Sequence, residues 1–224
     1  MLPSTLKRIV LKTILTLVIF YFPVVYAQVN PGSFRLMLSA GIVGSQVDGD
    51  AYGGYTKAGI VAGIFTIKPI DEKSQIEFGL SYIQKGSRKN INPKAGDYTY
   101  YLLRLNYFEL PLTYSYVYKE KYIFQGGLAM AYLGGSNEES HVGKIDVPFK
   151  NIDFSYHLGL RYKTTDNLFF GIRYSYSLVP IRNFNASGVY LGTFWTRIFN
   201  QGLYNNLIQL SVNYKINPKE KKSE

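Results

Sequence analysis

Between Leu105 and Val117 the chain reads Leu-Asn-Tyr-Phe-Glu-Leu-Pro-Leu-Thr-Tyr-Ser-Tyr-Val. With a period of two, Phe108, Leu110, Leu112, Tyr114 and Tyr116 fall on one face, and Tyr107, Glu109, Pro111, Thr113 and Ser115 on the other. A strand sends alternate side chains to opposite faces. This stretch is therefore a strand with one apolar, aromatic side and one mixed side. A carboxylate and a proline at its centre do not suit the core of a soluble sheet. They suit a closed barrel whose apolar face meets lipid and whose other face lines a packed interior.

The same alternation recurs along the chain and predicts eight strands, over Ser33–Ser45, Lys57–Lys68, Gln75–Lys85, Tyr100–Val117, Tyr122–Leu133, Asn151–Lys163, Leu168–Leu178 and Asn205–Ile216. The sixth is the clearest: Ile152, Phe154, Tyr156, Leu158, Leu160 and Tyr162 oppose Asp153, Ser155, His157, Gly159, Arg161 and Lys163. In the second, both faces carry apolar and small residues, which leaves its facing open. Connections after strands two, four and six are short; those after one, three, five and seven are longer. Outer-membrane barrels show this asymmetry, with short periplasmic turns and long external loops. A soluble sandwich would instead bury the apolar face between two sheets. The fold expected is all-β, an eight-stranded antiparallel transmembrane β-barrel following a cleaved signal peptide.

Residues 1–27 supply the leader. Lys7, Arg8 and Lys12 precede the apolar run Ile14–Phe22, and Val25-Tyr-Ala27 offers a small residue at the cut. This is the pattern of a secretory signal peptide. The run is short for a membrane span and Pro23 breaks it. The expected division is a signal peptide over 1–27, a barrel over 28–216 and a charged periplasmic tail over 217–224, in the Gram-negative outer membrane. Absence of cysteine excludes disulfides, thiol catalysis and a lipoprotein anchor. The net charge of +10 raises nucleic-acid binding, but the basic residues are dispersed between strands and form no dense face. The 21 tyrosines and 14 phenylalanines suit strands and membrane-interface girdles.

An eight-stranded barrel is filled by side chains and leaves no wide channel. The inward candidates include Arg35, Glu77, Lys85, Glu109, Gln125, Asp153, His157, Arg161, Arg173 and Gln209. Unpaired charges in such a space are costly, so a mixed-sign, hydrogen-bonded network is expected. Within it, Glu109 is expected to pair with Arg161 or Arg173.

No catalytic, cofactor or metal site emerges from the motifs. His141 lies beside Glu138, Glu139 and Ser140, but sequence neighbours do not make a triad, because geometry decides; a solvated polar loop is expected. Asp48-Gly-Asp50 lacks the remaining ligands of a calcium loop. The segment Val189–Phe199, with Tyr190, Phe194, Trp195 and Phe199, is an aromatic stretch in the last long loop. It is either a contact surface for a partner or an extension of the hairpin packed over the barrel mouth.

Several runs resemble one family. They are Phe78-Gly-Leu-Ser-Tyr-Ile-Gln-Lys-Gly86, Leu105-Asn-Tyr-Phe-Glu-Leu-Pro-Leu112, Ser45-Gln-Val-Asp-Gly-Asp50 with Lys57-Ala-Gly59, Gln125-Gly-Gly-Leu128, Arg173-Tyr-Ser-Tyr-Ser-Leu178 and Asn206-Leu-Ile-Gln-Leu-Ser-Val-Asn-Tyr214. Together they resemble the PorT-like outer-membrane β-barrel family of Bacteroidota, most specifically through Tyr107, Glu109 and Pro111. The resemblance implies a non-enzymatic barrel in contact with outer-membrane lipid. It further implies an accessory role in an outer-membrane machine, for protein secretion of the type IX kind or for barrel assembly, with other outer-membrane or periplasmic proteins as partners. The alternatives are a narrow ligand-binding or permeability barrel and, further off, a rim hydrolase or acyltransferase using His141.

Overall fold

The computed structural model describes residues 34–183 and 202–216. The leader 1–27, the tail 217–224 and the aromatic segment with Tyr190, Phe194, Trp195 and Phe199 lie outside these residues. Among the described residues there are eight long strands: β1 (Arg35–Asp48), β2 (Lys57–Pro69), β3 (Ser74–Lys89), β4 (Tyr101–Tyr118), β5 (Tyr122–Ser140), β7 (Ile152–Lys163), β8 (Leu168–Ser177) and β10 (Gly202–Ile216). Two two-residue strands, β6 (Gly143–Lys144) and β9 (Arg182–Asn183), extend the ladder beyond the long-loop end.

Each long strand pairs antiparallel with its neighbour, and β1 pairs with β10 from Leu36↔Ile216 to Asp48↔Tyr204. The sheet therefore closes on itself, and its long strands have no free edge. In lipid that closure is obligatory, because no water is present to satisfy an open row of backbone groups. Among the described residues no helix is long and apolar enough to cross a membrane; the crossing elements are strands.

Burial follows the alternation. Leu80, Leu112, Leu128 and Leu158 are 54–59% exposed, as side chains facing lipid must be. Their odd-numbered neighbours point inward and are buried or half-buried, which also settles β2: Val61, Phe65 and Ile67 face in, Ile60, Ala62 and Ile64 face out. Two apolar clusters fill the ends of the lumen. Met37, Phe65, Ile67, Ile123 and Phe169 close the short-turn end. A larger cluster, including Val43, Ile83, Leu103, Leu105, Tyr107 and Leu207, fills the long-loop half. Charged side chains lie between and alongside them.

Gly86 allows β3 to continue past the lumen. Its φ is +139°, and a Cβ there would lie 2.0 Å from the Leu103 carbonyl oxygen. Gly86→Ala is expected to lower stability by about 1–3 kcal/mol, read from the urea midpoint of the refolded barrel in lipid vesicles.

Candidate functional site

The interior charges form two linked clusters. Toward the short turns, Glu77 of β3 is completely buried. Arg161 of β7 grips it with both guanidinium arms, Nη1 to Oε1 at 3.1 Å and Nη2 to Oε2 at 2.9 Å. Ser115 Oγ of β4 donates to the same carboxylate at 2.6 Å, and Gln125 Nε2 of β5 donates to both oxygens at 3.3 Å. Four strands thus converge on one carboxylate. A bidentate, fully hydrogen-bonded pair is the arrangement that offsets the cost of taking two charges out of water.

Toward the long loops, Lys85 Nζ lies 3.2 Å from Glu109 and 3.2 Å from Asp153. Asn205 Nδ2 donates to Asp153 Oδ2 at 2.9 Å, and the Lys85 ammonium stands 4.9 Å above the Tyr107 ring. The ion pair of Glu109 therefore goes to Lys85, which corrects the expected pairing with Arg161; Arg173, the other expected partner, acts on Glu109 through its charge. The ladder carries Glu109 across to Ala131 and on to Asp153, far along β7 from Arg161, while the flexible Lys85 stem reaches back to that level. Between the clusters, His157 is buried with Nε2 2.8 Å from Thr113 Oγ1. Arg173 is also buried, close enough to Glu77, Glu109 and Arg161 to interact with all three. Arg35 is the exception among the expected interior residues. Its position on β1 has inward parity, but it is exposed at the short-turn mouth, lining a cavity of about 350 Å3 with Lys73, Lys163 and Lys215.

The long-loop mouth carries a group that alternation alone does not reveal. A bulge at Gly134 shifts the register from Asn106↔Gly135 to Tyr107↔Leu133. An extra residue turns every later side chain to the other face. Glu138 is therefore opposite the inward Leu103, and is only 6% exposed. It accepts hydrogen bonds from Tyr101 Oη at 2.8 Å and Arg182 Nη2 at 2.6 Å. Arg182 also donates to the Val147 carbonyl and stacks 3.6 Å from the Phe149 ring centre. The expected solvated loop is thus a continuation of β5 with a buried ion pair. Around the pair is a cavity of about 980 Å3, also lined by Asp50, Tyr52, His141 and Leu203. Partial burial pushes the Asp50 carboxyl up from its ordinary value. Arg182→Ala is expected to release the segment between Gly143 and Lys150. Trypsin should then cut the folded barrel at Lys144 or Lys150 about three-fold faster or more, as local opening is made easier.

Among the described residues the side chains around His141 are engaged elsewhere, Glu139 accepting from Asn137. Glu138 is committed to Arg182 and Tyr101, whereas His141 is exposed and the Ser140 hydroxyl serves its own turn, bonding Gly143 O and Val142 N. Asp48 and Asp50 are likewise used locally: Asp48 accepts from Gln46 and Asn206, and Asp50 from the Tyr52 amide.

Among solved structures, Ail, the attachment invasion locus protein of Yersinia pestis, in complex with the heparin analogue sucrose octasulfate, is 13% identical. The match covers 82% of this chain and 99% of that one with a TM-score of 0.49. Neisserial surface protein A is 11% identical over 82% of this chain and 97% of that one, with a TM-score of 0.45. OprG of Pseudomonas aeruginosa is 9% identical over 84% and 98%, with a TM-score of 0.39. No curated protein sequence matches significantly. The model of the family described as outer membrane protein beta-barrel domain matches residues 26–183, most of the chain and seven of the long strands. A closed antiparallel ladder with an apolar outer wall and an ionic lumen is the form that family takes here, and the chain belongs to it, as an outer-membrane β-barrel protein.

Proposed function

We propose that this barrel is a non-enzymatic accessory subunit of an outer-membrane machine, for protein secretion of the type IX kind or for barrel assembly, acting through its rims and loops. The observation that carries this reading is the filled lumen. Two apolar clusters bracket the buried ion pairs, so among the described residues side chains fill the lumen and the outward surfaces are left to do the work. The resemblance to PorT-like barrels supports the choice of machine. The test is a cross-linked pull-down from native outer membranes with a tag on the C-terminal tail. Recovery of one large membrane complex in constant proportion is the expected result. Recovery of the barrel alone overturns the reading.

The cavity beside Arg182 favours a second reading, a barrel that binds a small ligand at its long-loop mouth. Planar bilayers separate a permeability role from both: the filled lumen should give no single-channel steps, and clear steps would make the barrel a conduit.

A further inference from the structure

On the wall formed by β1, β10, β8 and β7, the register arranges the outward side chains in rows. Two are apolar: Ala40–Val212–Phe170–Tyr162 and Ile42–Leu210–Ile172–Leu160. The small Ala40 among bulky neighbours leaves a groove of about 530 Å3 running between them. The next row, Gly44–Ile208–Tyr174–Leu158, is mixed. Above it comes a polar row, Gln46–Asn206–Tyr176–Tyr156, topped by Asp48 and Tyr204. Rows two residues apart are about 6.6 Å apart along the strand, so one amphiphile spans both the groove and the polar rows.

The polar rows are organised before any ligand arrives. Tyr55 Oη donates to Asn206 Oδ1 at 2.8 Å, and Asn206 Nδ2 donates to Asp48 Oδ2 at 3.1 Å. Gln46 Nε2 holds the other Asp48 oxygen at 2.8 Å. Tyr176 and Tyr204 stack at 6.1 Å with their planes 12° apart, and Tyr156 lies 6.2 Å from both Tyr174 and Tyr176. These rows contain a carboxylate, amides and clustered tyrosines, and no cation. The β3–β4 wall differs: Arg88 and Arg104 stand exposed there above Tyr82, Gln84 and Asn106. A phosphate headgroup is attracted to the arginine wall and repelled by Asp48. The tyrosine wall suits the opposite chemistry. Aromatic faces accept the C–H edges of a sugar ring, and the remaining lone pairs of the half-buried Asp48 carboxylate accept its hydroxyls.

We propose that this wall is a binding site for a single glycolipid of the outer leaflet. An acyl chain lies in the groove at Ala40 and an uncharged sugar head rests on the half-buried Tyr174, Tyr176 and Asp48, with the buried Asn206 holding Asp48 in place beneath it. The proposal goes beyond the accessory role and does not depend on it. It uses only the barrel and the outward placement of the long loops.

The test uses the full mature chain in phosphatidylcholine nanodiscs doped with a few mole per cent of monogalactosyl diacylglycerol or, separately, of phosphatidylglycerol. Lipids retained on the barrel are counted by native mass spectrometry. The galactolipid is expected to be enriched roughly five-fold over phosphatidylcholine, equivalent to about 1 kcal/mol. The enrichment should fall to background in Ala40→Trp, which fills the groove, and in the double variant Tyr174→Ala/Tyr176→Ala. Leu112→Trp, exposed on β4 away from the groove, should leave it unchanged. Heat-modifiable gel mobility shows that each variant is folded, and Ala40→Trp alone suffices if the tyrosine variant is not. Absence of galactolipid enrichment, or enrichment that survives Ala40→Trp, overturns the proposal. So does enrichment of phosphatidylglycerol alone that is lost in Arg88→Ala/Arg104→Ala, which would move the lipid site to the opposite wall.

Discussion

Arg161→Ala is expected to destabilise the barrel by about 3–5 kcal/mol, the cost of leaving a buried charge without its partner. The charge left behind is Glu77, which has no exposed surface and would keep hydrogen bonds only from the neutral Ser115 and Gln125, with Arg173 acting on it from further away. The loss is read as a lowered urea midpoint for the barrel refolded in lipid vesicles, with folded and unfolded forms separated by unheated gel mobility. The companion variant Glu77→Gln/Arg161→Met should recover most of the loss, since two apolar or neutral groups of similar volume need no compensation. Recovery distinguishes an uncompensated charge from a packing defect, which the double variant would deepen. A loss below about 1 kcal/mol for Arg161→Ala would put the pair in the range of exposed salt bridges and contradict its burial.

Lys85→Met is expected to be as damaging, for the complementary reason. One ammonium lies 3.2 Å from each of two carboxylates whose side chains are 7% and 0% exposed. Removing it leaves two like charges close together in a low-dielectric space. About 3–5 kcal/mol is again the expected loss, in the same unfolding assay. Neutralising both carboxylates, in Lys85→Met/Glu109→Gln/Asp153→Asn, should return most of it. If the triple variant is no better than the single one, the lysine acts by filling space against Tyr107 instead of by balancing charge.

Much of the architecture is legible from alternation because each strand has only two faces and lipid imposes a different chemistry on each. The eight strands, the alternating short and long connections and the inward direction of Glu77, Glu109, Asp153, His157, Arg161 and Arg173 all follow from that. Strand ends do not. Predicted to stop at Leu133, β5 runs to Ser140, because backbone pairing with β4 continues above the apolar belt where the side-chain code weakens. Which charges meet is also hidden, since partners depend on register across three or four strands. The ion pair of Glu109 with Lys85 is the example. Glu138 was concealed by the bulge, and the paired Gly134-Gly135 was the one signal that β5 changes phase there; its partner Arg182 lies in a connection with no alternation to read. At Arg35, parity gives the direction of the side chain but not its depth, and the mouth is open to water.

The joining of Glu77 to Arg161 bears on how such a chain reaches its folded form. The two residues are 84 positions apart, and Lys85 and Asp153 are 68 apart. The carboxylate emerges first and waits for a guanidinium three strands later. A barrel inserted hairpin by hairpin would carry that lone charge into a space already walled off from water. Forming the ion pairs and the β1–β10 seam together, late in closure, avoids that state. Contacts this distant in sequence make for slow, concerted closure. Until then the chain needs to be held unfolded and hydrated on its way to the membrane.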